Sequence, residues 1–398
     1  MPDAVAGFGL RPETIEARIR AFTAHGVHRT GWEGDDRTSA WLRDELRASG
    51  VAAELERFDF PRVEYRTARL SWGDGHADGV PLYDGGFTDA AGIDGELCAA
   101  DDGDVFGKIA IDVAGLQGDG AWSAPGAEDR YEALAAGGAL GLVLPSSDRE
   151  GALVLRNAER IERPFRLPVL QVAAKDARPL LSTLLVGGEG VLTIDGERLR
   201  SRATNVVATI PGTDAAARPI GVMTPKSGWF TCAAERGGGI AIWLALAEAL
   251  AAAPGRRTVQ LVASAGHELS HLGLKDYLKR RPAAAAGAVA WLHLGASIGA
   301  REPRARLAVA DDALAEIVAR AVADAAITDV EPLPLGQPGG GEARDIHASG
   351  GRFVSFLGGH RYFHSPNDTV ERAVDAASVA RWGAAALAIV NGMLDLDD

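Results

Sequence analysis

The feature that most limits what this chain can fold into is an alternation that sets in near residue 203. Short apolar runs rich in Val, Ile and Leu (205–210, 219–223, 258–264, 288–294 and 353–357) take turns with stretches of helical spacing (239–253, 271–279, 311–326 and 374–394). An apolar run with little polar alternation is a strand buried on both faces, and helices between such strands supply the cover. The pattern predicts an α/β fold, in which chemistry gathers at strand ends where loops converge.

Upstream the texture differs. Residues 12–24 and 36–49 carry apolar side chains at helical spacing (Ile15, Ile19, Phe22; Trp41, Leu42, Leu46), each ending near a glycine, Gly26 or Gly50. Residues 51–58 read as a strand. From 61 to 200, short β-like runs (67–72, 108–113, 140–144, 167–172, 190–194) alternate with Gly/Asp/Pro turns, and only 129–136 and 174–185 read as helices. This points to a β-rich lobe (61–200) inserted between an N-terminal part (1–60) and the main part (201–398) of one α/β domain.

Charge narrows the partners. With a net charge of −13 over 398 residues, the surface would repel nucleic acid and anionic membranes. Two cysteines, Cys98 and Cys232, exclude a disulfide framework and suit a reducing compartment. The N-terminal residues lack the basic start and apolar core of a signal peptide, and no apolar run reads as a membrane span. The expectation is a cytoplasmic protein acting on a small molecule, with a homo-oligomer left open.

Several ionisable side chains fall at expected strand ends and loops: His267, His293, His347 and His364, with Glu235, Glu268 and Asp345 at similar junctions. Such a set is what a zinc site in an α/β enzyme requires, although a single histidine at a strand end is more often structural. Gly295-Ala-Ser297-Ile-Gly299 fits the G-x-S-x-G spacing, but the residues that follow include Pro303 and offer no helix for a nucleophile elbow. The glycines 237–239 precede a helix without lysine or further glycine at nucleotide-loop spacing, which favours close backbone packing.

The segments ATNVVATIPGT (203–213), AERGGGIAIWLALAEAL (234–250), RRTVQLVASAGHELSHLGLKDYL (256–278) and FVSFLGGHRYFHSPNDTVE (353–371) resemble the M28 family of zinc aminopeptidases. The resemblance implies a mixed central sheet flanked by helices, of phosphorylase/hydrolase-like architecture. FGKIAIDVAG (106–115) and ALAAGGALGLVLPSS (133–147) resemble the protease-associated insert that many members carry.

The family holds two zinc ions with a His-x-Asp, a bridging Asp, a Glu, a second Asp and a late His, and keeps a Glu general base beside the ligand Glu. Transferred by position, the first ligand falls on Thr224 and its supporting Asp on Lys226. The bridging Asp falls on Glu235, the base and ligand pair on His267 and Glu268, the second Asp on Gly295, and the late His on His364. The tyrosine that precedes that histidine in the family is Phe363 here, with Tyr362 one step back. The ligands exclusive to one zinc are lost, while Glu235, Glu268 and His364 remain as donors for at most one zinc ion.

This departure implies a divergent enzyme, repurposed from dizinc chemistry. Its acid/base residues would be His267, His293 and Tyr362, acting on a small amino-acid-like or amide substrate. Thr224, Lys226, Asp345, His347 and Arg361 would bind that substrate. Two alternatives stay open: a single-zinc amidohydrolase or aminopeptidase, and a catalytically silent binding protein.

Overall fold

The computed structural model describes residues 9–117 and 127–397; the N-terminal residues 1–8, read above for a leader, lie outside them. The chain divides into two units, one of residues 1–59, 202–363 and 367–398, the other of 60–201 and 364–366.

In the first unit, the strands Val259–Ser264, Ile220–Pro225, Trp291–Leu294 and Phe353–Leu357 run parallel in that order. The C-terminal part of Glu189–Ile210 adds antiparallel on one side, with Val206 opposite Ala263. On the other side Arg306–Val309 pairs antiparallel with Phe353–Leu357 and carries the short Glu331–Pro332. The sheet is therefore mixed, as the resemblance implies.

Period-two packing makes both faces apolar. Val206, Val222, Leu261, Leu292 and Val354 join one core with the helices Pro12–Thr23, Glu33–Ala48, Gly237–Ala252, Asp312–Asp324 and Ala376–Asp395. Their neighbours Val207, Met223, Val262, Trp291 and Phe353 face a second core with Leu272–Arg280 and Ala343–Ala348. Gly221 is the small residue that lets Trp291 lie flat on the sheet, because a Cβ there would come within 2.2 Å of the indole. Ala376–Asp395 is long and apolar enough to cross a membrane by length and composition, which the sequence reading had not expected of any run. Its Val379, Ala385, Ile389, Val390 and Met393 are core residues, and Asp375 caps its start by accepting from Ser378 N.

The second unit is rich in strands, as expected, with short helices between them. Its strands Ile93–Ala99, Lys108–Ile111, Gly141–Pro145 and Val169–Val172 are parallel neighbours, extended by antiparallel strands at both sides. The stretch 174–185 is two helices, Ala174–Ala177 and Leu180–Leu185. Pro179 separates them, since it has no N–H to continue the first. The strand expected at 51–58 and the run at 67–72 are one strand, Ala53–Trp72, with Pro61 inside it. The proline's fixed φ suits extended backbone, and one missing donor does not end a ladder of this length.

Candidate functional site

The strand ends of the first unit hold a run of buried polar side chains that sort into three groups. The first is a pair of enclosed ion pairs. Lys226, just past Ile220–Pro225, has its ammonium on the Asp35 carboxylate, and both side chains are 0% exposed. Asp35 Oδ2 also accepts from Gly31 N at 2.9 Å. Burial pushes the Asp35 carboxyl up to about 6 despite the pull of Lys226. Arg236 reaches Glu235 Oε1 at 2.7 Å and donates from Nε to Ser227 O at 2.8 Å, again without exposure to solvent.

The second group surrounds Glu268. Its Oε1 accepts from Thr30 N at 2.9 Å and Thr30 Oγ1 at 2.7 Å, and its Oε2 accepts from Ser227 Oγ at 2.7 Å. Gly266 N donates to both hydroxyls, so the carboxylate is held between the segment before Glu33–Ala48 and the loop after Ile220–Pro225.

The third group is built of imidazoles. His267 Nδ1 lies 2.9 and 3.0 Å from the two carboxylate oxygens of Glu342. His293, at the end of its strand, places Nε2 at 3.2 Å from Glu342 Oε2 and Nδ1 at 2.7 Å from Ser355 Oγ on the neighbouring strand. His271 Nδ1 is 2.7 Å from Asp345 Oδ2, and its ring centroid is 5.1 Å from that of His267. Burial and the nearby Arg236 push His267 down to about 4, so its imidazole is neutral at pH 7. Burial would push the Glu342 carboxyl up, but His267, His271 and the hydrogen bonds from His267 and His293 outweigh it and hold the group well below the usual carboxylate range. An ionised Glu342 fixes the tautomers: His267 donates from Nδ1 and keeps its lone pair on Nε2. Gly341, at φ +64°, admits this packing, because a Cβ there would sit 2.8 Å from His293 Cε1.

Of the residues singled out from sequence, the structure thus brings together His267, His293 and, one shell out, Asp345. Glu342 and His271 were missed. The signal for His271 was in plain view, since His267-Glu268-Leu269-Ser270-His271 has the H-E-x-x-H spacing of zinc-binding helices. Here the pair converges through a turn rather than a helix, with Ser270 and His271 both left-handed (φ 57° and 59°). Glu342 follows a glycine-rich loop and carries no local sign of its partner 75 residues away.

The other expected residues lie elsewhere. Thr224 is 0% exposed and its hydroxyl donates to Leu294 O at 2.9 Å, so neither it nor Lys226 presents a surface to a substrate. Tyr362 is a core residue under the Arg361 guanidinium, 4.9 Å away. Arg361 itself is exposed and lies 3.7 Å from Glu302. His347 is exposed and meets Phe353 edge-on. His364 belongs to the second unit, where its Nδ1 is 2.9 Å from Leu155 O. No helix follows Ser297; its Oγ is 2.9 Å from His360 Nδ1, and His360 Nε2 is 3.4 Å from Asp368 Oδ1. Asp368 in turn accepts from Ala234 N and Glu235 N, which ties this network to the loop before Gly237–Ala252. An open cleft of about 500 Å³ in the same unit, bordered by Arg301, Glu302, Asp329, Arg381 and Trp382, includes none of the imidazole cluster.

The positions that the resemblance marks for zinc were tested against these contacts. Thr224 is spent on a backbone carbonyl, Gly295 has no side chain, Glu235 faces Arg236, and Glu268 already accepts from three donors. Two buried cations, Lys226 and Arg236, stand among them. This donor set fits neither a pair of zinc ions nor the single ion expected on Glu235, Glu268 and His364, because Arg236 and the Glu268 donors already engage the two carboxylates. Among the described residues, the group whose ligating atoms converge is His267, His271 and Glu342, all within 4.8 Å of one another.

Comparison with known proteins accords with the architecture. Residues 205–390 match the model of peptidase family M28. No curated protein matches. Among solved structures, a peptidase M28 precursor from Shewanella amazonensis SB2B superposes with a TM-score of 0.78 at 20% identity, covering 100% of this chain and 97% of that one. BSAP, a zinc aminopeptidase from Bacillus subtilis, gives 0.76 at 16% identity over 96% and 95%. An aminopeptidase from Aneurinibacillus sp. strain AM-1 gives 0.69 at 15% identity over 96% and 93%. The chain thus shares the fold of these aminopeptidase structures, and its residues 205–390 match the model of peptidase family M28.

Proposed function

We propose that this chain is a divergent M28 hydrolase whose reaction centre is the cluster of His267, His293 and Glu342. The observation that carries this reading is the pairing of a buried, neutral His267 with an ionised Glu342. The carboxylate holds the imidazole in one tautomer and stabilises the imidazolium that forms when Nε2 takes a proton. His293 donates to Oε2, one of the two oxygens that His267 also meets, and keeps Glu342 in place. His267 is then the general base, and Glu342 and His293 are positioning residues.

The substrate class follows from charge. Asp35 and Glu235, the acids that would attract a free α-ammonium, are already neutralised by Lys226 and Arg236. A small amide or amino-acid derivative with a blocked or neutral amino end suits this region better than a peptide N-terminus. Turnover by the whole protein is measured on a panel of N-acyl amino acids, amino-acid amides and aminoacyl anilides. N-acyl compounds are expected to lead and anilides to trail, and His267→Ala is expected to lower kcat/KM by roughly 10²–10⁴-fold. Efficient anilide cleavage, turnover of nothing in the panel, or an unaffected His267→Ala variant would each overturn the proposal.

A further inference from the structure

We infer that His267, His271 and Glu342 form a binding site for one divalent transition-metal ion, displaced from the positions where the family resemblance places zinc. One ligating atom from each lies within 4.8 Å of the other two, and all three residues are buried. The donor types are two imidazoles and one carboxylate, a set found at catalytic zinc sites, and three protein donors leave a position for water or substrate. Magnesium and calcium, which take oxygen ligands, are poorly matched.

The surroundings are those of a supported ligand set. Asp345 accepts from His271 Nδ1 at 2.7 Å, which leaves the Nε2 lone pair for an ion and fixes the ring's direction. His293 also holds Glu342, donating to Oε2 at 3.2 Å. Asp345 lies three residues after Glu342, at the start of Ala343–Ala348, so one short segment supplies both a ligand and the support for another. Backbone conformation agrees as well. His271 adopts φ 59°, a left-handed value that a β-carbon disfavours, and this turn is what brings the second imidazole back toward the first. Glu268, between the two histidines, is bound to Thr30 and Ser227 and does not compete for the ion.

The site shares His267 with the proposed reaction centre, and because Nδ1 is engaged by Glu342 an ion would take the Nε2 lone pair that otherwise accepts the proton. Its catalytic consequence, suppression of turnover, rests on that reading, while ion binding is measured without turnover. Whole protein stripped with chelator is titrated with Zn²⁺ by calorimetry and with Co²⁺ by visible absorption. About one ion per chain is expected, with the d–d bands of a low-symmetry nitrogen and oxygen site. His271→Asn keeps a residue that tolerates the left-handed turn, and Glu342→Gln keeps the shape of the side chain. Each is expected to weaken binding by about 100-fold or more, and Asp345→Asn by roughly 10–100-fold. His76→Ala, an exposed histidine of the other unit, serves as the unaffected control. Wild-type protein that takes up less than about a tenth of an equivalent overturns the site, whatever the variants do. Unchanged binding in His271→Asn and Glu342→Gln overturns it equally. Ion uptake that leaves turnover of the amide panel unchanged keeps the metal site and overturns His267 as the base; no turnover by metal-free protein overturns the hydrolase reading alone.

Discussion

The Lys226–Asp35 pair offers a sharp test of how the pocket is held, and Lys226→Met is the perturbation. Both side chains are 0% exposed, so removing the ammonium leaves a carboxylate enclosed in protein with only Gly31 N as a donor of known contact. Breaking one side of a buried pair generally costs about 3–5 kcal/mol. The pH dependence gives an independent test of the same pair. In the intact protein burial raises Asp35 to about 6. An acid with a raised pKa contributes stability that is present below its unfolded value and lost as pH rises through the folded one. With Lys226 present that loss ends near pH 6. Without it the folded pKa climbs further, and the variant keeps losing about 1.4 kcal/mol per pH unit above pH 6. Above pH 6 the deficit therefore grows with pH until the variant's own folded pKa is reached. Urea denaturation followed by tryptophan fluorescence at pH 5.5, 6.5, 7.5 and 8 measures it, with Asp35→Asn/Lys226→Met as a variant expected to show no such slope. A deficit equal at pH 5.5 and 8, or one below about 1 kcal/mol throughout, would refute the reasoning.

Two further outcomes follow from single residues. His28 is 0% exposed, stacks on Phe22 with ring centroids 3.9 Å apart, and is pushed down to about 3 chiefly by burial. Its lowered pKa means that stability falls as pH drops from about 6.5 toward 3, at about 1.4 kcal/mol per unit, and His28→Gln should flatten this acid limb in the same denaturation series; an unchanged limb counts against it. Gly341→Ala adds a Cβ 2.8 Å from His293 Cε1 at a residue with φ +64°. It is expected to destabilise by about 1–3 kcal/mol and to lower turnover in the amide assay, and a silent substitution would mean that the loop does not fix the imidazoles.

What the sequence disclosed and what it withheld have physical explanations. The parallel strands were legible because residues such as 259–264 and 353–357 are apolar on both faces, a pattern that only a covered sheet satisfies. His267 and His293 were legible because a polar side chain at the end of an apolar run must meet something. The partners they meet were not. Glu342 lies 75 residues from His267, and Asp35 lies 191 from Lys226, so packing decides both contacts and no local spacing encodes them. Thr224 and Lys226 read as a substrate-facing edge because a shift of family pattern suggests an open position. The fold instead fills that position with a salt bridge and a carbonyl contact. His271 was legible in principle, but its spacing implied a helix, and the left-handed residues 270 and 271 make a turn.

The distance along the chain between His267 and Glu342 also has a temporal consequence. The 74 residues between them include the strand Trp291–Leu294 and the helix Asp312–Asp324, so the contact closes a long loop. Contacts of such separation form after local ones, because closing the loop costs entropy before any bond is made. During synthesis, a growing chain that has emerged only as far as the turn at His271 has two imidazoles and no Glu342. The cluster therefore cannot form until the chain has been made at least as far as Glu342.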